Sequence, residues 1–371
     1  IGLIVTFGIS LGSLYLVNLF FMKPVSIDHY LGKELVIGLF DSPESMTYMG
    51  IFDKYNWITK HNSALSIPKH EDLDEGINDA KKSLSVLSKY KDSSLTNNQK
   101  ITKKIAMFDI ENGLKQSEEF PYHDYPLNQV RGIHHNIISF MSDMHPVRTH
   151  DEAKDFIKRT DLAKDVYIGV LDGLERQAAA GIFAPEFVYA HVINQLNEMI
   201  NYSFNEHPLY TQFMKKAELL EISKAELASL ESKLILSIEN SVTPGFILLR
   251  DFMVSTKNSA NPHHGIWSQP NGDEFYKLRI RTYTTTDYSP QEIHDMGISE
   301  VARISTRMKE ILVSLGYDAN KTVGVLMNEL NEDPSMLYDD TPDRKEIVLK
   351  DYTDMVNEAT DAIKGYFHSM P

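Results

Sequence analysis

The feature that most restricts what this chain can fold into is a start signal that recurs along it. A Ser or Thr stands three residues ahead of a Gln or Glu, just before apolar residues spaced three and four apart. It occurs at Thr96-Asn97-Asn98-Gln99, Thr149-His150-Asp151-Glu152, Ser223-Lys224-Ala225-Glu226 and Ser289-Pro290-Gln291-Glu292. The hydroxyl can accept from the backbone N–H three residues on while the Gln or Glu side chain reaches back, which satisfies donors that every helix start leaves open. Ile101, Ile105 and Phe108 follow the first signal at helical spacing, and Leu227, Leu230, Leu234 and Ile238 follow the third. Leu73, Ile77, Ala80, Leu84 and Leu87 repeat the pattern without a cap, as expected for one face of an amphipathic helix. Pro185, Pro244 and Pro290 fall where a first helical residue is expected, and Gly181 and Gly316 where helices should stop.

Strand signals are nearly missing. No sustained alternation of apolar and polar residues occurs, and Asn271-Gly272 leads into a helical pattern rather than joining two β-branched runs. The expectation is an all-α chain: a large multi-helix domain over residues 24–371, preceded by one hydrophobic N-terminal helix. Loops are expected at 91–98, 257–272 and 331–343, without a tether long enough to separate domains.

Residues 1–22 carry no charge and are mostly apolar, and Lys23 begins ordinary composition. As a helix they would span about 33 Å, enough to cross a bilayer core of about 30 Å. Residues 1–23 are therefore expected to be a membrane anchor or an uncleaved export signal, with the rest outside the cytoplasm. The remaining chain is acidic, with 37 Lys+Arg against 52 Asp+Glu and a formal net charge of −15. That argues against nucleic acid as a partner, because neutralising phosphates takes a dense basic face. With no cysteine, disulfides, thiolate zinc sites, iron–sulfur clusters and cysteine nucleophiles are excluded for these residues.

Fourteen histidines raise the question of a metal. His134-His135 would point about 100° apart on a helix, His263-His264 lie in an expected loop, and His145 and His150 have no carboxylate at ligand spacing. No H-E-x-x-H is present, so no zinc ligand is assigned to this chain. G-x-S-x-G, phosphate-loop and dinucleotide motifs are missing too, and no catalytic residue is assigned.

One stretch supplies polar chemistry. After Gly265-Ile266-Trp267, Asn271 is placed to cap a helix on which Tyr276, Ile280 and Tyr283 share a stripe with Arg279 nearby, and Thr284, Thr285 and Thr286 close it with hydroxyls. Such a set can meet the carbonyls of an extended ligand and a carboxylate. The plainer alternative is a core helix whose tyrosines pack and bond locally.

The run from Pro270-Asn271-Gly272 through Thr284-Thr285-Thr286 to Ile293-His294-Asp295-Met296-Gly297 and Glu300-Val301-Ala302-Arg303-Ile304 closely resembles the bacterial domain of unknown function 885 family. Ser42 to Gly50 is similar to that family's early loop and Gly181 to Val188 to its mid-chain helix start, so the resemblance runs from about Asp28 onward. It implies a mainly helical fold like that of zinc-dependent metallopeptidases, often exported and lipid-anchored, with zinc as cofactor, a peptide as substrate and a metal motif beyond the matched region. Two readings follow. In the first, the chain is the substrate-side portion of a membrane-anchored, exported zinc-metallopeptidase-like protein on the periplasmic side of the envelope. Asn271, Tyr276, Arg279, Tyr283, Thr284, Thr285 and Thr286 then contact the peptide, and the fragment alone is inactive. In the second it is a non-catalytic helical scaffold or binding module outside the cytoplasm.

Overall fold

The computed structural model describes residues 13–20 and 22–367. Residues 13–20 are helical, but most of the anchor expected over residues 1–22 lies outside the described residues. Among the described residues no helix is long and apolar enough to cross a membrane, and no strand forms. A single β-bridge joins Pro185 to Asn261. The all-α expectation holds.

The chain divides into two compact units, Ile1–Asp287 and Tyr288–Pro371, where the sequence pattern had drawn no boundary. In the first unit the longer helices are α1 (Ile27–Phe40), α2 (Pro43–Met49), α3 (Glu71–Ser88), α4 (Asn97–Glu119), α5 (Ile133–Ser139), α6 (His150–Asp161), α7 (Ala163–Ala179), α8 (Glu186–Asn201), α9 (Pro208–Ala217), α10 (Lys224–Ser237), α11 (Thr243–Thr256) and α12 (Gly272–Thr284). Its main core is built by α6 to α11 around Phe156, Tyr167, Leu196, Phe213, Leu234 and Phe246, all buried. A side cluster of Ile27, Tyr30, Leu87 and Tyr90 seats α1 on α3 and α4.

Local signals read from the sequence recur as geometry. Thr96 with Gln99 and Ser223 with Glu226 form reciprocal capping boxes. Thr149 accepts from the Glu152 N–H at 3.2 Å, but the Glu152 carboxylate turns to the Arg148 N–H at 2.6 Å and to its guanidinium. Gly181 ends its helix at φ 75°. Pro185 is the cap residue rather than the first helical one.

Two expectations change. Pro244 does not open a separate helix, because α10, a π turn over Ile238–Val242 and α11 run on without a break. The wider π turn accommodates the N–H that proline lacks and the ring that would clash in a regular interior. On α4, Ile101 and Ile105 are 58% and 57% exposed, and Ala106, Met107 and Ile110 pack instead. In that orientation the Lys103 ammonium bonds to the Tyr90 carbonyl at 2.7 Å and to Asp92 at 2.9 Å.

The second unit holds α13 (Pro290–Ser314), α14 (Val323–Glu332) and α15 (Arg344–Ile363). Ser289 and Glu292 form its capping box around Pro290, and Gly316 stops α13 at φ 98°. Leu312 and Leu326 are its buried apolar residues, and the Tyr317 hydroxyl donates to Asp333 at 3.0 Å.

Candidate functional site

The stretch singled out by sequence is held by a folded loop. Over residues 257–272 two helical turns form, the Asn261 N–H donates to the Ala184 carbonyl at 3.0 Å, and buried Gln269 donates to the Tyr125 hydroxyl and the Phe183 carbonyl. The loop turns into α12 at Asn271, whose φ of 54° is left-handed, a conformation asparagine tolerates better than most residues. Its side chain makes no capping bond, while its carbonyl accepts from the Phe275 N–H at 3.0 Å. Asn271 thus occupies the expected cap position but acts through its backbone. Gly272 is required there, since a Cβ would lie 1.9 Å from the Ile266 carbonyl oxygen.

Phe275 and Leu278 pack on Phe120, and a ring nitrogen of His123, Nε2, donates to the Pro270 carbonyl at 2.7 Å. The tyrosines face outward, Tyr276 at 47% and Tyr283 at 75% exposure, while Ile280 is buried. The expected stripe therefore straddles the edge of the packed face. Between them the half-buried Arg279 donates to Gln116 Oε1 at 3.1 Å and to the Tyr283 hydroxyl at 2.6 Å. Its guanidinium carbon is 4.8 Å from the Tyr283 ring centre. Among the described residues no carboxylate lies within ion-pair distance of it, whereas its neighbour Arg281 pairs with Asp287 at 2.7 Å.

The threonines close the helix. Thr284 Oγ1 donates to the Ile280 carbonyl at 2.8 Å and lies 2.7 Å from Thr286 Oγ1. Thr285, at φ 55°, caps the end through its N–H on the Arg281 carbonyl. The structure thus joins Arg279 to Tyr283, adds Gln116, which the sequence reading missed, and spends the Thr284 hydroxyl on the helix end.

A second polar constellation has no sequence motif behind it. Arg159, wholly buried, donates to the Ala64 carbonyl at 2.7 Å, the Thr47 hydroxyl at 2.9 Å, His145 Nδ1 at 3.1 Å and the His61 carbonyl. Burial pushes its pKa down to about 10. Because His145 Nδ1 accepts from Arg159, its proton sits on Nε2, 3.3 Å from the Glu152 carbonyl; burial first, then the Arg159 charge, hold its pKa down to about 3. Arg148 bridges Asp53 at 2.5 Å and Glu152 at 2.7 Å, and those bonds raise its pKa. These residues span more than a hundred positions, and although the sequence reading touched Thr47, His145 and Thr149 separately, no local signal joined them.

Among the described residues the remaining histidines do not converge on an ion. His134 is buried with Nε2 3.1 Å from Gln195 Oε1, and its ring is 4.3 Å from that of His135. His263 stacks near Trp267 and His264 near Phe187. Among the described residues no group of three or more His, Asp or Glu is placed to hold a metal ion. The donors among these described residues do not fit a zinc centre.

Comparison with known proteins places this geometry. The model of the family described as bacterial protein of unknown function (DUF885) matches residues 43–371, starting within the Ser42 to Gly50 segment rather than near Asp28. A candidate lipoprotein of Colwellia psychrerythraea has a similar structure, with TM-score 0.80 and 24% identity over 91% of this chain and 61% of that one. A candidate lipoprotein of unknown function from Shewanella oneidensis aligns with TM-score 0.61 and 12% identity over 91% of this chain and 57% of that one. At these identities the likeness is one of fold, and the chain spans less than two thirds of either protein. No curated protein matches it.

Proposed function

Because the chain belongs to the bacterial DUF885 family, we propose that it is the substrate-side part of an exported, zinc-metallopeptidase-like protein, with α12 as its peptide-contacting face. The observation that carries this reading is Arg279. It is oriented by two neutral partners, Gln116 and Tyr283, and no carboxylate among the described residues neutralises it. A guanidinium so placed suits a carboxylate, such as a peptide's C-terminus, which it can meet with paired N–H donors. The exposed phenols of Tyr276 and Tyr283 are positioned for backbone carbonyls, with Asn271 at the head of the helix and Thr284, Thr285 and Thr286 at its foot. Zinc is assigned to none of this chain's residues, and neither is hydrolysis. Likeness to candidate lipoproteins supports a place in the cell envelope, and the uncharged residues 1–22 would hold the protein at the membrane.

Titration with short peptides of the chain carrying Trp57→Phe, followed by the fluorescence of Trp267, tests the reading. Peptides with a free C-terminal carboxylate should bind, and C-terminal amidation or Arg279→Gln should abolish binding. Equal binding of both peptide forms refutes the role of Arg279. No binding of any peptide favours the scaffold reading, in which the α12 face is structural.

A further inference from the structure

Away from α12, where α6 passes α10, a groove of about 440 Å³ has a composition unlike the rest of this acidic chain. Its base is apolar, with buried Ile157 and Leu230 and with Leu236 left 55% exposed at the rim. Three lysines line it: Lys154 and Lys158, one turn apart on α6, and Lys233 on α10. The one acid in the lining, Asp161, is engaged by the Ser237 hydroxyl. Lys154 and Lys158 also touch Asp151 and Asp155, each at 3.1 Å, in pairs whose lysines are largely exposed. The Lys154–Asp151 pair is exposed on both sides, so it is weak and yields readily to a better-placed anion, whereas Lys158 stays on the nearly buried Asp155, which Asn56 also holds. Among the described residues Lys233 has no carboxylate within ion-pair distance.

We infer that this groove binds a single-chain amphiphilic anion, its apolar tail along Ile157, Leu230 and Leu236 and its carboxylate between Lys154 and Lys233. The charge pattern selects the occupant. In a protein with 15 more acids than bases, a lining in which Lys233 is unpaired, Lys154 only weakly held and the one acid already engaged favours an anion, and the leucine and isoleucine base favours one with a hydrocarbon tail. An uncharged lipid would leave the lysines unused, and a small inorganic anion would leave the apolar base wet. Lysine suits this rim, since its methylene stem can lie along the apolar wall while the ammonium reaches the headgroup. The site is independent of the peptide face on α12.

The test is isothermal titration of the full chain with decanoate, dodecanoate and tetradecanoate as monomers, with dodecanol as the neutral counterpart. Each methylene that enters the groove should tighten binding by about fourfold, the equivalent of about 0.8 kcal/mol. Dodecanol should bind at least about fivefold more weakly than dodecanoate, and Lys154→Gln with Lys233→Gln should remove that preference. Both are surface substitutions that leave the core packing intact, and they separate the groove from any affinity of residues 1–22 for hydrocarbon. The inference is overturned if dodecanol matches dodecanoate or if the double variant binds unchanged. It is overturned as well if the chain ignores the fatty acids but takes phosphatidylglycerol vesicles or an acidic leucine-rich peptide.

Discussion

Acid should destabilise the first unit through three histidines buried in neutral form. Burial pushes His134 and His207 down to about 4, and burial together with the Arg159 charge pushes His145 down to about 3. Two of these rings use Nδ1 as an acceptor: His145 takes a bond from Arg159 at 3.1 Å, and His207 takes one from the Leu209 N–H at 3.2 Å. In the unfolded chain each titrates near about 6.5. The folded values lie below that, so the stability is complete above about pH 6.5. It drains away as pH falls toward the folded values, because over that span only the unfolded chain takes up protons. From neutral pH to about pH 5 each histidine should remove about 2 kcal/mol, and the three about 6 kcal/mol, against a total of about 5–15 kcal/mol for an ordinary domain. Urea unfolding at a series of pH values reads the effect directly. The slope between about pH 5 and 6 should approach three protons, about 4 kcal/mol per pH unit, and His207→Gln should lower it by about a third whatever it does to the absolute stability. A loss of less than about 1 kcal/mol over that interval, or an unchanged slope in His207→Gln, would show that these histidines do not set the acid limit.

Other substitutions test the packing and the site. Arg159→Met removes donors from the Ala64 and His61 carbonyls and from His145 Nδ1 while relieving a buried charge, with an expected net cost of about 2 to 5 kcal/mol in urea unfolding. A more stable variant would mean that burying the charge outweighs its bonds. Gly245→Ala should cost about 1 to 3 kcal/mol, because the new Cβ would lie 2.2 Å from Cδ2 of the fully buried Tyr167. Gly173→Ala, with nothing within 4 Å, serves as the tolerated control in the same assay. Ser223→Ala should cost about 1 kcal/mol through loss of the α10 capping box, measured by thermal melting. Tyr283→Phe should change stability by less than about 0.5 kcal/mol, the side chain being mostly exposed, while weakening peptide binding. The reverse pattern would make it a structural tyrosine.

What the sequence alone determined is the helical class, several helix ends, and the family. Each rests on information confined to a few neighbouring residues. A Ser or Thr and a Glu or Gln three positions apart bond within one turn, so Thr96, Ser223 and Ser289 could be read without knowing what their helices touch. Gly181 and Gly316 mark stops because only their own φ is at issue, and the threonine-rich segment after Asn271 carries the family likeness as a string. Only the tertiary structure decided which side of a helix faces inward and which polar groups meet. On α4 the face of Ala106, Met107 and Ile110 packs on the Ile27, Tyr30, Leu87 and Tyr90 cluster while Ile101 stays exposed, and Lys103 reaches the Tyr90 carbonyl across the preceding loop. At Pro244 the local rule was overridden, since a helix already packed on both sides could absorb a proline through a π turn. Arg159 gathers Thr47, His61, Ala64 and His145, and Arg279 gains Gln116 from a helix 163 residues away in sequence. Such meetings depend on the sum of many weak packing energies over the whole unit, and no local pattern encodes them.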